Sequence, residues 1–285
     1  MTTTVRAACI QLTPGNDLAE NLRAITGLVG RTVAAGAGLV AIPEFATYLD
    51  RSSASMRSSA STQESSKALA ELRGLAKDNR VWLLVGSIVV LQEGQGDGRL
   101  LNRSFLVSPG GAICGHYDKI HLFDARLSDG RVVGESKHYA GGESAPVIRT
   151  PFGKVGMTIC YDLRFPELYR RLALAGADIL SIPAAFTAET GRAHWEPLLR
   201  ARAIENGCYV LAPATCGTHP GDWKTHGHAA IVDPWGEIVA QCDGLEQGFA
   251  IADLDLKRVG EARARIPSLN TNPTYAVAEC LAATN

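Results

Sequence analysis

Apolar residues alternate along residues 5–12, and this period of two predicts a strand. Along 18–35 the period lengthens. Leu18, Leu22, Ile25, Leu28, Val29 and Val33 share one helical face, and Gly36-Ala37-Gly38 ends the helix. Residues 39–42 read as a short buried strand stopped by Pro43. Residues 51–66 are serine-rich and weakly patterned, which predicts a surface loop, and a helix follows to about residue 77. A long strand over 81–91, with a bulge near Gly86, leads into a glycine-rich hairpin turn at 92–99. Two more strands, 101–107 and 112–117, flank the turn Pro109-Gly110-Gly111.

The same order of elements then returns, and the letters return with it. GAGLVAIP at 36–43 matches GADILSIP at 176–183. NRVWLLV at 79–85 lies over NGCYVLA at 206–212, and LVSPGGAI at 106–113 over IVDPWGEI at 231–238. The chain therefore reads as one domain over 1–285 holding two copies of a β-α-β-α-β-β-β unit. The first copy spans about 5–120 and the second about 153–253, with an insertion between them and an extension over 254–285. Each copy makes a mixed sheet with helices on one face. Packing the two bare faces together predicts an α/β fold, a four-layer α-β-β-α sandwich.

Composition narrows the function classes. A formal net charge of -1 gives no reason to expect nucleic acid or an acidic membrane as partner. The longest apolar runs are far too short to span a bilayer, and the first residues carry no signal-peptide pattern. Seven cysteines are an odd number, and most of them, including Cys9, Cys114, Cys208 and Cys280, lie inside apolar runs. That usage fits a reducing, cytoplasmic setting rather than a disulfide framework. Cys216, His219, His226 and His228 have the right side chains for a metal but match no usual zinc spacing, so neither a metal nor a cofactor is expected. No glycine-rich turn has the strand-turn-helix order of a nucleotide site.

The chemistry concentrates in GKVGMTICYDLRFPELYRR at 153–171. A buried strand ends at Cys160, Asp162 is a plausible helix N-cap, and Leu168, Leu172 and Leu174 fit the helix that follows. A cysteine at such a junction is rigidly held, and nearby N–H groups can lower its pKa or bind an oxyanion. A buried structural cysteine is the alternative. Two further residues lie beyond carboxyl ends of strands, where α/β proteins bind ligands. Glu44 follows Pro43, and Lys119 follows the last strand of the first copy. The second copy has Ala184 where the first has Glu44. A carboxylate can take a thiol proton and a buried ammonium can stabilise an oxyanion, so the set suits acyl transfer through a thioester. A papain-like hydrolase would need a histidine base, and no such signature surrounds Cys160. His121 can orient Lys119 or be an ordinary half-buried histidine. His194 and Trp195 are expected to cap and anchor a helix. Arg258, Arg263 and Arg265 are expected on a solvated helix face or against a second subunit.

PEF at 43–45, YDKIHLFD at 117–124, GES at 134–136 and CYDLRFPELYR at 160–170 resemble the nitrilase superfamily of carbon–nitrogen hydrolases. HWEPLLRARAIEN at 194–206 and GHAAIVDPWG at 227–236 resemble it too. The resemblance implies the sandwich fold, no cofactor, a homodimer, and a catalytic triad of Glu44, Lys119 and Cys160. It implies Glu135 as a second glutamate serving the lysine and the hydrolytic water. It also implies a substrate carboxylate on Arg164, with Tyr161, Phe186, Thr187 and Phe123 as further substrate-binding residues. An ion pair from Arg164 to Asp162 or Glu167 is the structural alternative. Within the superfamily the motifs are most similar to amidases acting on deaminated glutathione, then to those acting on ω-amides such as α-ketoglutaramate. Aliphatic amidases and nitrilases, or a non-catalytic binding module, are the remaining readings. The chain departs from the pattern at 51–66 and at THPGDWKTH, 218–226, and both segments can border the pocket.

Overall fold

The computed structural model describes residues 4–92, 97–126, 130, 132–271 and 276–277. In chain order the first half forms β1 (Thr4–Leu12), α1 (Leu18–Ala34), β2 (Leu39–Ala41), α2 (Ser53–Ser59), α3 (Lys67–Asn79), β3 (Trp82–Leu91), β4 (Leu100–Val107) and β5 (Ile113–Asp118). A small hairpin, β6 (Asp124–Arg126) and β7 (Val132–Gly134), joins the halves. The second half forms β8 (Val147–Arg149), β9 (Lys154–Met157), α4 (Pro166–Leu174), β10 (Ile179–Ser181), α5 (Ala188–Asn206) and β11 (Tyr209–Ala212). It continues through β12 (Ala214–His219), β13 (Trp223–His226), β14 (Ala230–Val232), β15 (Ile238–Gln241), β16 (Gly248–Asp255) and α6 (Lys257–Arg265).

The repeat seen in the letters is present in the topology. In one sheet β1, β2 and β3 run parallel, and β4 and β5 return antiparallel. In the other, β9, β10 and β11 run parallel, and β14 and β15 return antiparallel. The expectation that each copy keeps its strands to itself is corrected in one respect. β12, β13 and β16 come from the second half but join the first sheet, through pairing with β1. They reach it because β1 has a free edge that would otherwise expose unpaired N–H and C=O groups.

Side-chain alternation sorts the core into layers. Ala8, Ile10, Val40, Leu83 and Val85 point outward and pack with Ile25, Val29, Leu69 and Leu72 of α1 and α3. Their neighbours Ala7, Cys9, Leu39, Ala41 and Leu84 point inward and share one core with Val155, Met157, Ile179, Leu211 and Ile231 of the other sheet. Trp195 and Leu199 of α5 cover that sheet from outside. The order is helix, sheet, sheet, helix. Burying one such Leu or Ile contributes about 1.5–3 kcal/mol, which is why a one-residue register slip is not tolerated here.

Two local readings change. Residues 51–66 are not wholly loop, because Ser52 caps α2 through its side chain to the Ser55 N–H. The predicted bulge in β3 is present, and its pairing shifts between Val85 and Ile88. Gly86 is required there, since a Cβ would lie 2.1 Å from the Ile42 carbonyl oxygen. The turn at 92–99 and Cys280 fall partly or wholly outside the described residues.

Candidate active site

Three chain segments leave the inner ends of their strands and converge. After β2, residues Ile42 and Pro43 carry the chain to Glu44, which is buried. After β5 comes Lys119, also buried. After β9 the chain makes a tight 3-10 turn over Cys160–Arg164. Cys160 has φ +49°, a left-handed conformation that costs a residue with a Cβ on the order of 1–2 kcal/mol. The turn is held by its surroundings. The Cys160 N–H donates to the Pro183 carbonyl at 2.9 Å.

Asp162 does not cap the following helix, because α4 begins only at Pro166. Its carboxylate instead faces backward, fully buried, as a tie between two segments. It accepts from the Ile159 N–H at 2.9 Å, the Tyr117 hydroxyl at 2.7 Å and the His121 N–H at 3.0 Å. The His121 ring nitrogen Nδ1 lies 2.7 Å from it. His121 therefore serves Asp162, and its ring stacks on Phe165; it does not orient Lys119.

Lys119 Nζ sits between two glutamates. It is 3.2 Å from Glu44 Oε1, and 3.0 and 2.9 Å from the two Glu135 oxygens. Glu135 is fixed in turn by the Phe123 N–H, 2.6 Å from Oε2. Burial alone would push the Lys119 pKa down. The charges of Glu135, Glu44 and Cys160 outweigh it and hold the pKa well above the usual lysine range. The ammonium is thus a fixed cation.

Glu44 is held by two donors besides Lys119. Oε1 also accepts from Asn102 Nδ2 at 2.8 Å, and Oε2 accepts from the Ala185 N–H at 2.8 Å. Ala185 follows Ala184, the residue that replaces Glu44 in the second copy. The second copy gives a backbone donor where the first gives a carboxylate. The Cys160 thiol is pushed well above the usual range, first by burial and then by the Glu44 charge and a hydrogen bond to it; Lys119 pulls the other way. A nearby N–H group, that of Ala185, does pull this pKa down as expected, but burial and Glu44 outweigh it. A neutral thiol here needs a base, and Glu44 is the carboxylate beside it.

One cavity of about 590 Å³ opens onto Glu44, Lys119, Glu135 and Cys160 together. All five residues expected around the substrate, Phe123, Tyr161, Arg164, Phe186 and Thr187, line it. Thr187 is also the N-cap of α5, accepting from the Thr190 N–H. Arg164 makes neither expected ion pair. Its Nη1 is 3.1 Å from His194 Nδ1, and the guanidinium lies over the Tyr161 and Phe186 rings, 5.9 and 5.1 Å from their centroids. His194 is inside α5, so it does not cap that helix; Trp195 anchors it, donating to the His228 carbonyl. Both unusual segments reach the cavity, through Arg51, Ser53 and Met56 on one side and Trp223 and Lys224 on the other.

Other expectations resolve away from the site. His219 bonds the Pro14 carbonyl and Thr225, Cys216 bonds Thr13, and His226 stacks on His228. Among the described residues no group of three or more His, Cys, Asp or Glu is placed to hold a metal. Of the α6 arginines, Arg258 and Arg265 are exposed as expected and Arg263 is half-buried, and each has a partner in the chain. Arg258 pairs with the buried Asp233, Arg263 bonds the Ala177 and Asn206 carbonyls, and Arg265 lies over Trp235. Sequence reasoning passed over Asn102. The signal was present: a polar residue at an inward position of the apolar strand LLNRSFLV.

Comparison with known proteins agrees with this geometry. A deaminated glutathione amidase from Synechocystis is 40% identical over 265 residues, covering 92% of this chain and 96% of that protein. The crystal structure of the C. elegans NitFhit protein superposes with a TM-score of 0.85 at 33% identity, covering 94% of this chain and 65% of that longer one. An amidase from Nesterenkonia sp. AN1, carrying acrylamide added at its active-site cysteine, superposes with a TM-score of 0.77 at 25% identity, covering 92% and 98%. The carbon-nitrogen hydrolase pattern matches residues 6–264. With its sandwich, its matched length and these relatives, the chain belongs to the carbon-nitrogen hydrolase family and is a hydrolase of non-peptide carbon–nitrogen bonds.

Proposed function

We propose that the chain hydrolyses the amide of a small, carboxylate-bearing substrate, deaminated glutathione first among them, through a thioester on Cys160. The observation that carries this is the single cavity shared by Cys160, Glu44, Lys119 and Glu135 on one side and the Arg164 guanidinium on the other. Among the described residues, Arg164 is paired with a histidine and two rings rather than with a carboxylate. It is therefore available for a bidentate carboxylate contact.

Glu44 takes the Cys160 proton as sulfur attacks the amide carbon. The carbonyl oxygen gains the electron pair and is stabilised by Lys119, a contribution typically worth about 3–4 kcal/mol. Collapse breaks the C–N bond, and Glu44 returns the proton to the leaving amine or ammonia. Water then attacks the thioester, again giving its proton to Glu44; collapse breaks the C–S bond, frees the carboxylic acid and returns that proton to the Cys160 sulfur. Glu135 holds Lys119 through both steps and helps to position the water. The names of the Synechocystis relative and others like it support deaminated glutathione over other amides.

The deciding comparison is hydrolysis of deaminated glutathione, α-ketoglutaramate and a simple aliphatic amide or nitrile. Deaminated glutathione is expected to be fastest. Arg164→Lys should weaken only the carboxylate-bearing substrates, because lysine lacks the planar fork. Faster turnover of the uncharged amide would overturn the substrate while leaving the cysteine chemistry standing.

The working form in this reading is one domain per chain, paired as a homodimer in the cytoplasm. The six cysteines among the described residues are free, which suits a reducing compartment. Among those residues no helix is long and apolar enough to cross a membrane. Light scattering and cell fractionation test the two assignments.

A further inference from the structure

Asn102 is a buried polar residue beside the site that the reaction above leaves without a role. It lies on the inward face of β4, in register with Val89 of β3, and is buried. Its Nδ2 donates to Glu44 Oε1 at 2.8 Å, while its own Oδ1 has no hydrogen-bond partner among the described residues. Its backbone carbonyl accepts from the Lys119 N–H at 3.0 Å. An unpaired buried amide oxygen costs about 1–3 kcal/mol. An apolar side chain of similar size would avoid that cost, so fold stability does not explain an asparagine at this position.

We propose that Asn102 is a positioning residue for the base, resting on the reading of Glu44 as that base. Three donors hold Glu44: Lys119 and Asn102 on Oε1, and the Ala185 N–H on Oε2. Lys119 is shared with Glu135, and Ala185 belongs to the other sheet. Asn102 is the neutral side-chain donor of the three. It fixes the carboxylate plane through one neutral N–H donor. The titratable groups around Glu44 are Lys119 beyond β5, Glu135 in the turn after β7, Cys160 beyond β9 and Tyr139. The protonation of this cluster sets the acidic limb of the pH profile.

The test uses Asn102→Leu and Asn102→Asp, assayed on deaminated glutathione across pH. Asn102→Leu is expected to lower kcat at least tenfold with KM within twofold, and to move the acidic limb of kcat/KM up by about one pH unit. Asn102→Asp places a second carboxylate against Glu44 and should move the limb further the same way. If Asn102→Leu does not fold, the limb of Asn102→Asp decides. A folded variant with wild-type kcat, or one whose activity falls evenly at every pH with the limb unmoved, overturns the proposal. Cys160→Ala separates the two layers: an active Cys160→Ala sinks the thioester reading itself, whereas an inactive one beside a silent Asn102→Leu sinks only the role of Asn102.

Discussion

Cys160 and Lys119 show how far single residues are defined by their neighbours. The thiol is buried beside a carboxylate and is therefore a poor nucleophile until its proton leaves. The ammonium is buried between two carboxylates and therefore keeps its charge. Reversing either neighbour reverses the chemistry. Cys160→Ala should abolish turnover and leave the melting temperature nearly unchanged; wild-type activity in the pure variant would refute the nucleophile. Glu44→Gln should block acylation, because an amide cannot take the thiol proton, and rapid-quench mass spectrometry should find no adduct on Cys160. Glu135→Gln should fold but turn over slowly, with the acyl adduct accumulating if the loss falls on thioester hydrolysis. A kinetically silent Glu135→Gln would remove its supporting role.

Strands and turns act here as fixed mounts. Glu44 is aimed by the two residues after β2, and those residues run directly over the bulge in β3. Gly86 makes that crossing possible, with the Pro43 carbonyl oxygen 2.4 Å from where a Cβ would stand. Gly86→Ala should therefore lose about 1–3 kcal/mol in urea unfolding, and should lose activity beyond what stability explains, since Ile42 and Pro43 must shift. Gly74 is the control. It lies in α3 with nothing within 4 Å of its would-be Cβ, so Gly74→Ala should gain about 0.5–1 kcal/mol. Equal effects at the two positions would show that the close approach does not matter. The Cys160 turn has a mount of its own. Arg202 of α5 donates to the Leu163 carbonyl at 3.0 and 2.7 Å, and so ties the outer helix to the turn.

At the scale of the molecule, two copies of one topology are joined so that one brings the charges and the other brings the thiol. Strands exchanged into the first sheet lock the halves together, and β12 and β13 carry histidines into that seam. His226 is held down to about 4, chiefly by burial, then by His228 and Arg192. Its folded pKa lies below its unfolded value near 6.5, so the unfolded chain binds the proton first. Stability from this group is present above about pH 6.5 and is lost as pH falls toward 4. Thermal melts should show a declining melting temperature across that window, and His226→Gln should flatten the decline. An unchanged slope in His226→Gln would assign the effect to other groups, among them His219, whose pKa burial also lowers.

Period and repeat were enough to determine the layered sandwich, because burial on one face forces alternation along each strand, but not that β12, β13 and β16 would cross into the first sheet. Position at strand ends was likewise enough to nominate Glu44, Lys119 and Cys160, since those ends are where a sandwich opens. Tertiary structure alone decided the partners. Asp162 looked like a cap in a linear reading, yet three-dimensional packing turns it toward Tyr117 and His121, forty-odd positions earlier in the chain. The exposed arginines of α6 gain partners, Asp233 and Trp235, that no linear reading names. Asn102 drew no notice in the linear reading, and only the fold brings Glu44 against it from another strand. Local sequence specifies what a residue can bond, but which group comes within 3 Å is settled by contacts between segments far apart in the chain, and only the folded sheets bring those together.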